Sequence, residues 1–203
     1  THLIFSQEPA DGAVVDSDDE VVSGKAFATQ PIVEPVDVLG NVDLGFTEKL
    51  TISLIGGDGV LGGVVDKVVF NGQADYGANG LFYAAALDGE DFILEVDDEA
   101  GGTDLEAVSL GLSADVVGTR LAFARQPSSL LDPGVNFAPD SVVVEVRDED
   151  GRIDTDYTAE VAIQALSAGK NEVVIADLSA TPAAEVIAAA GIATWTELKI
   201  ETA

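Results

Sequence analysis

The chain contains an internal repeat, and this limits its fold more than any other feature. Residues 1–9 read THLIFSQEP and residues 119–127 read TRLAFARQP, so Thr, Leu, Phe and Pro recur at an offset of 118 positions. A repeat at this spacing indicates tandem domains of one fold. We therefore expect two domains, over residues 1–118 and 119–203.

A second match extends the repeat. Residues 27–47 resemble residues 137–158, and the offset becomes 111 from Asp37 onward. The first copy carries extra residues between the two matches, including an acidic run at residues 16–20. At the new offset, aspartates of the first copy align with aspartates of the second: Asp37 with Asp148, and Asp43 with Asp154.

Both copies are composed of short segments in which apolar and polar residues alternate, separated by turns rich in Gly, Asn and Asp. Such alternation predicts strands with one face in a core and the other in water. Strands of about five residues at turn spacings of about ten favour an all-β fold, a β-sandwich in each domain. The clearest segments are residues 50–54, 64–70, 92–96, 142–146 and 161–165.

One segment permits a helix. Residues 181–190 begin with Thr-Pro and are followed by Gly191, a pattern typical of a capped helix. A strand over residues 184–189 is the alternative, because the first copy has a strand at the matching place.

The two copies end differently. Residues 191–203 match the region around residues 72–87, after which the first copy continues for about 30 residues. That continuation predicts strands at residues 92–96 and around 107–113. The second domain therefore lacks its last strand or strands, which exposes unpaired backbone groups and an apolar groove. Either more chain follows in the full protein, or another subunit supplies the strand.

Charge excludes several classes of partner. The chain has nine Lys and Arg residues and 37 Asp and Glu residues, which gives a formal charge of −28. Such a chain repels phosphate backbones and anionic lipid surfaces, so we expect neither nucleic-acid binding nor electrostatic membrane docking. The sequence contains no apolar run of about 18 residues, so it predicts no membrane-spanning helix. The 47% hydrophobic content is too high for an acidic disordered tail.

Missing residue types exclude several chemistries. The chain has no cysteine and a single histidine, His2. Disulfides, thiolate metal sites and cysteine nucleophiles are thereby excluded, and a Ser-His-Asp triad is disfavoured. The chain also has no methionine, which indicates a mature form or a segment of a longer protein. No catalytic motif is visible, so we expect no enzyme and no required cofactor.

Several segments resemble the immunoglobulin-like tandem repeats of large bacterial surface proteins. They are TRLAFARQP, AFATQP, DVLGNVDLGFT and ATWTELKIETA. The resemblance implies two tandem immunoglobulin-like β-sandwich domains, an extracellular location, and service as a spacer, an adhesive stalk or a subunit of a surface layer or filament. The partners it implies are copies of the chain or neighbouring repeat domains.

The acidic turn at residues 148–156 is the polar segment that most clearly suggests a binding site. Asp148, Asp150, Asp154 and Asp156 would converge if the chain folds back at Gly151, and carboxylates in a loop suit Ca²⁺. The matching turn of the first copy keeps Asp37 and Asp43. The alternative is a hydrated turn in which each Asp bonds its own backbone.

The incomplete second domain predicts an assembly groove. Its lining is expected from apolar residues of the strands beside the missing one: Val161, Ile163, Trp195, Leu198 and Ile200. A strand from another copy would fill the groove by β-strand addition. The first candidate for that donated strand is residues 1–9, which carry Leu3 and Phe5.

These observations predict a structural protein of the cell exterior, part of a stalk, layer or filament. One alternative is a filament subunit assembled by strand exchange between copies. Another is a carbohydrate- or protein-binding adhesin module, which would need exposed aromatic residues; only 6% of the residues are aromatic.

Overall fold

The computed structural model describes residues 1–10, 21–98, 105–127, 141–166, 174–176, 178–179, 185–196 and 198–200. The chain divides into two compact units, Thr1–Val116 and Val117–Ala203, here called unit 1 and unit 2. The described residues form strands and turns and contain no helix. This all-β architecture of several sheets is consistent with a β-sandwich.

Unit 1 is built from strands that join into three sheets. One sheet has the order β1-β3-β7, and another pairs β5 with β8. The largest has the order β2-β11-β9-β4-β6, with β10 also paired to β9. The strands are β1 (His2–Gln7), β2 (Val21–Val22), β3 (Ile32–Val36), β4 (Lys49–Gly56), β5 (Val60–Gly62), β6 (Asp66–Val68), β7 (Ala74–Asp75), β8 (Phe82–Ala84), β9 (Glu90–Asp97), β10 (Glu106–Val108) and β11 (Leu112–Asp115).

The core of unit 1 takes side chains from all three of these sheets. In β9, every second residue is buried, which is the period of a strand with one face inward. Leu50 and Ile52 of β4 are buried in the same cluster, together with Leu3 of β1, Val33 of β3 and Tyr83 of β8. The alternation of the sequence therefore becomes a core that the three sheets share.

Unit 2 repeats part of this plan. Its sheets are β12-β13-β19, β14-β18, β15-β16 and β17-β20. The core contains Val144, Val161, Trp195 and Leu198, with Ile163 partly buried against them. The strands are β12 (Arg120–Arg125), β13 (Val142–Arg147), β14 (Glu160–Ala162), β15 (Ala165–Leu166), β16 (Val174–Ala176), β17 (Leu178–Ser179), β18 (Glu185–Ile187), β19 (Ile192–Trp195) and β20 (Lys199–Ile200).

The sequence repeat has a counterpart in strand register. Leu3 pairs with Pro35 in unit 1, and Leu121 pairs with Val146 in unit 2, at the offsets read from the sequence. The register shift after Phe5 recurs after Phe123. Further equivalent pairs are Val33 with Ala74 and Val144 with Ala193, then Lys49 with Val68 and Glu160 with Ile187.

A tight hairpin turn also recurs. Asn71 and Gly72 have φ angles of 51° and 76°, and Ala190 and Gly191 have φ angles of 52° and 69°. Two central residues with positive φ define the type I′ turn, whose twist suits a two-residue hairpin. A Cβ on Gly191 would lie 2.0 Å from the carbonyl oxygen of Asp154, so this position requires glycine.

The prediction of a helix over residues 181–190 is wrong for the described part of that segment, residues 185–190. Glu185–Ile187 is strand β18, paired with β14, so the alternative of a strand is confirmed there. The turn at Ala190 and Gly191 explains the outcome, because it reverses the chain into β19. Residues 181–184 lie outside the described residues.

Other predicted segments shift in detail. The strand expected around residues 107–113 is divided into β10 and β11, and the Ser109 hydroxyl accepts the N–H of Leu94 at 3.0 Å beside the break. The glycine-rich stretch that follows β4 does not form a hairpin with it. It leads instead into β5, which pairs with β8 and not with β4, and the Gly59 N–H donates to the Tyr83 hydroxyl at 2.9 Å.

Candidate functional site

The acidic turn of unit 1 is held by its own aspartate. Asp37 Oδ1 accepts hydrogen bonds from the backbone N–H groups of Leu39 and Asn41 at 2.8 and 2.9 Å. Its Oδ2 accepts a hydrogen bond from Asn41 Nδ2 at 2.9 Å. The side-chain bond from Asn41, followed by the two backbone bonds, lowers the pKa of Asp37. The carboxylate thus serves as the local acceptor that closes the turn.

In the matching turn of unit 2, the guanidinium cation of Arg152 takes the place of the side-chain amide of Asn41. Arg152 stands where unit 1 has Asn41, and its backbone N–H donates to Asp148 Oδ1 at 2.8 Å. Its guanidinium Nη1 lies 3.0 Å from Asp148 Oδ2 and 2.9 Å from Asp150 Oδ2. A guanidinium therefore bridges two of the four carboxylates that the sequence offered to Ca²⁺ in this turn and offsets one of their two negative charges.

The second aspartate of each turn also accepts hydrogen bonds from nearby groups. Asp154, 5% exposed, accepts the N–H of Gly118 at 2.7 Å on Oδ2 and the N–H of Tyr157 at 2.8 Å on Oδ1. Asp43 accepts the N–H of Gly45 at 2.9 Å and the Thr1 hydroxyl at 3.3 Å. Asp154 therefore ties the entry of unit 2 to its acidic turn.

The six predicted Ca²⁺ ligands do not form one cluster. Asp156 is exposed at the bend that follows Asp154. In the part of the chain that the structure describes, no three of Asp148, Asp150, Asp154 and Asp156 bring carboxylate oxygens within 4.8 Å of one another. The geometry gives these carboxylates a role in turn formation, and Ca²⁺ binding stays a prediction.

The residues predicted to line an assembly groove divide into two groups. Trp195, Leu198 and Val161 are buried, at 0%, 2% and 4% exposure, and belong to the core of unit 2. Ile163 is partly buried against that core. Ile200 lies in β20, which pairs with β17. Trp195 and Leu198 therefore pack inside unit 2, in its core.

A groove does open in unit 2, between β12 and β14. Its cavity volume is about 210 Å³. Val161 and Ile163 are among its lining residues, together with residues of β12 and β13. The lining residues are Leu121, Ala122, Phe123, Val144, Val161, Ala162, Ile163 and Gln164. We call this space the β12–β14 groove.

Unit 1 covers the side chains that are equivalent to two of the groove residues. Leu3 is 3% exposed and Phe5 is partly buried, whereas their counterparts Leu121 and Phe123 are 55% and 50% exposed. In unit 1, β10 lies beside β1, and its residue Ala107 packs on the core that contains Leu3. The described residues of unit 2 include no counterpart of β9, β10 or β11 after β20.

Leu3 and Phe5, the residues predicted for a donated strand, belong to unit 1. Their strand β1 is antiparallel to β3, with Leu3 opposite Pro35 and Phe5 opposite Val33. Donating β1 to another copy would break this ladder and expose Leu3. The arrangement therefore disfavours residues 1–9 as a donor.

Leu121, Phe123 and Val144 are the groove residues that the sequence analysis missed. A signal for them was present: the offset of 118 makes Leu121 and Phe123 equivalent to Leu3 and Phe5. This equivalence would have pointed to the apolar face of β12, because Leu3 and Phe5 pack on the core of unit 1.

Strand β12 has a basic residue at each end. All four arginines of the chain lie in unit 2, and two of them, Arg120 and Arg125, are exposed at the ends of β12. Unit 1 has His2 and Gln7 at the matching positions. In a chain of charge −28, these two arginines place local positive charge on β12.

Aromatic side chains are mostly structural in the described residues. Trp195, Tyr76 and Tyr83 are fully buried, and Tyr83 stacks on Phe92 with ring centroids 4.0 Å apart. Burial raises the pKa of Tyr83 to about 12. These rings cannot stack on a sugar, whereas Phe70 is 75% exposed. Phe123, half exposed, faces the β12–β14 groove.

Comparison of the chain with protein-family models, curated proteins and solved structures gives no match. Among the described residues, no helix is long and apolar enough to cross a membrane. The inference of function therefore depends on the repeated framework and the β12–β14 groove.

Proposed function

We propose that this chain is a non-enzymatic structural protein of the cell exterior, part of a surface stalk, layer or filament composed of tandem immunoglobulin-like β-sandwich domains. The observation that carries the proposal is the repeat of one all-β framework in both units, pair by pair in strand register. Repeating a folded unit extends reach along a chain without requiring a separate chemical site in each copy.

The polar groups of the two turns favour a structural role over catalysis. Asp37, Asp148 and Asp154 accept hydrogen bonds from backbone N–H groups of their own turns, so their carboxylates stabilise the loops that connect strands. Acid–base catalysis would need such groups directed toward a bound substrate. The resemblance to repeats of bacterial surface proteins adds the external location.

Antibody labelling of intact cells tests this proposal. Antibodies raised against the 203-residue chain should label the surface of intact source cells, and protease added outside should remove the signal. Electron microscopy of the label would distinguish a stalk, a layer and a filament. Label that appears only after permeabilisation, and resists external protease, would contradict an external role.

A filament subunit is the second candidate, and the β12–β14 groove favours it because the groove offers an acceptor for a strand. Light scattering of the purified chain in moderate salt, with and without Ca²⁺, measures self-assembly. Growth into oligomers that needs Ca²⁺ would implicate the acidic turns. A monomer in both conditions would favour the spacer role.

A further inference from the structure

Unit 1 exposes a set of large apolar side chains on two neighbouring turns. Val38 and Leu39 lie at the tip of the turn that Asp37 closes, and they are 91% and 83% exposed. Phe70, 75% exposed, comes directly before the turn at Asn71. We call this surface the tip patch, and its members are Val38, Leu39, Val42, Leu44, Val68 and Phe70.

Packing between the two turns joins the members of the tip patch. A Cβ on Gly72 would lie 2.4 Å from Val42 Cγ1 and 3.1 Å from Leu44 Cδ2, so the second turn packs directly on these two side chains. Val68 and Phe70 are exposed on either side of the buried Val69, which is the alternation of an extended chain. The tip patch therefore runs from the first turn, across the second, to strand β6.

Unit 2 builds the same two turns without this surface. Both turns recur there with the hydrogen bonds and the positive φ angles described above. At the equivalent positions, four members of the tip patch are replaced by polar or small residues: Glu149 for Val38, Asp150 for Leu39, Thr155 for Leu44 and Ala189 for Phe70. The framework therefore does not require apolar residues there, and their presence in unit 1 points to a contact.

The size of the tip patch suits a protein–protein contact. Its six side chains expose about 500 Å² of apolar surface, since a Val, Leu or Phe side chain presents about 100–200 Å² when fully exposed. Monomeric proteins rarely expose contiguous apolar patches of more than a few hundred Å². Two tip patches face to face would bury about 1,000 Å² of apolar surface. Since an interface is about 60% apolar, the whole contact would bury about 1,600 Å², the usual size of a specific interface.

We infer that two copies of this chain associate through their tip patches, face to face about a two-fold axis. In such a contact the same surface serves both partners, and this is the commonest symmetry of soluble oligomers. The inference goes beyond the proposed structural role, because it assigns a contact surface to unit 1 whatever the location of the protein.

The groups beside the tip patch favour a second copy over a cationic partner. The Asp37 carboxylate already accepts hydrogen bonds from Asn41 and from two backbone N–H groups. Asp43 likewise accepts the N–H of Gly45. The members of the patch are uncharged, so its match is another apolar surface. Because two chains of charge −28 repel each other, their association should strengthen with salt, whereas binding of a cationic partner would weaken.

Sedimentation equilibrium of the full 203-residue chain tests the association. The measurement covers chain concentrations from about 5 to about 500 μM, in about 10 mM and about 1 M NaCl. In the higher salt, the mass should rise with concentration from that of the monomer to twice that value and stop there, because a two-fold contact is closed. In the lower salt, the dissociation constant of the dimer should be larger.

A double variant locates the contact. Val38→Glu with Leu39→Asp gives unit 1 the residues that unit 2 carries in the same turn, so the turn should keep its fold. The dissociation constant of the dimer should rise by about 100-fold or more, because each copy loses two apolar contacts and gains two repelling carboxylates. Circular dichroism checks that the variant is folded.

The matched control makes the same exchange of residue types elsewhere on unit 1. Val60→Glu with Leu87→Asp changes two apolar residues that are 66% and 73% exposed, with the same change of charge. Val60 follows the end of β4, whereas Val68 of the tip patch pairs with Lys49 at its start. This control should leave the dissociation constant of the dimer unchanged.

Spin labels test the face-to-face geometry. The chain has no cysteine, so one introduced thiol carries one nitroxide. Glu48→Cys places the label beside the tip patch, since the Glu48 carbonyl accepts the N–H of Val69. Asp91→Cys places it near the other end of β4, where Ile93 is opposite Gly56. Double electron–electron resonance should give a shorter distance between the two labels of the dimer at position 48 than at position 91.

Five results would overturn the inference: a monomer throughout in high salt, growth beyond the dimer, a dimer that Val38→Glu with Leu39→Asp leaves intact, equal weakening by the control, or a shorter label distance at position 91. Loss of the dimer in the tip-patch variant also distinguishes it from assembly through the β12–β14 groove. Sedimentation is measured in solution, so the inference and the proposed external location fall separately.

Discussion

Replacing Ala190 by asparagine should stabilise unit 2. Ala190 has a φ of 52°, a left-handed conformation that costs an L-residue about 1–2 kcal/mol, whereas asparagine adopts it readily. Unit 1 has Asn71 at the equivalent place of the same turn, with a φ of 51°. Ala190 is exposed, so the substitution removes no packing.

The expected gain is about 1 kcal/mol, which raises the melting midpoint of a domain of this size by about 4–8 °C. Trp195 is the only tryptophan of the chain and is fully buried in unit 2, so its fluorescence follows unfolding of that unit. Thermal and urea unfolding of Ala190→Asn, monitored by this signal, measure the gain.

Two controls make the test specific. Ala189→Asn changes the neighbouring exposed residue, whose φ is not positive, and should give no gain. Asn71→Ala should lower the calorimetric transition temperature of unit 1 and leave the melting midpoint measured by Trp195 fluorescence unchanged. An unchanged or lower midpoint for Ala190→Asn would refute the assignment of strain to this turn.

Three further predictions concern charge and the acidic turns. The melting midpoint should rise between about 10 mM and about 1 M NaCl, because salt screens the repulsion within a chain of charge −28; a flat or falling midpoint contradicts this. Asn41→Ala should raise the pKa of Asp37 in an NMR titration, because the side-chain bond from Asn41 lowers that pKa in the wild type. The lowered pKa stabilises the folded state at pH values above the unfolded-state pKa of Asp37, and this stability is lost as the pH falls through the folded-state pKa. Asp154→Ala should lower the unfolding free energy of unit 2 by about 2–4 kcal/mol, since two backbone N–H groups lose their acceptor, whereas Asp150→Ala should change it by less than about 0.5 kcal/mol.

The repeat and the alternation of residues carried most of what the sequence could predict. An offset between similar segments predicts equivalent strands, and the equivalent registers of β1–β3 and β12–β13 follow from it. The helix prediction failed because Thr-Pro at one end and Gly191 at the other are local signals, whereas pairing of β18 with β14 depends on a distant strand.

The site was predicted less well than the fold, for a physical reason. Alternation shows which residues of a strand point inward, but not whether a neighbouring strand covers them. Trp195 and Leu121 both lie on alternating strands, yet the first is fully buried and the second is 55% exposed. Likewise, the sequence could not show that Arg152 would bridge Asp148 and Asp150.

Among the described residues, β14 is paired on one side only, with β18, and this has a consequence for how the protein behaves in concentrated solution. An unpaired strand edge beside apolar surface can join another such edge, which is a route to aggregation. At low ionic strength, the shared negative charge keeps two molecules apart. High salt therefore acts in two opposing ways: it strengthens each molecule and weakens the barrier between molecules. The conditions of best thermal stability and of best solubility should accordingly differ.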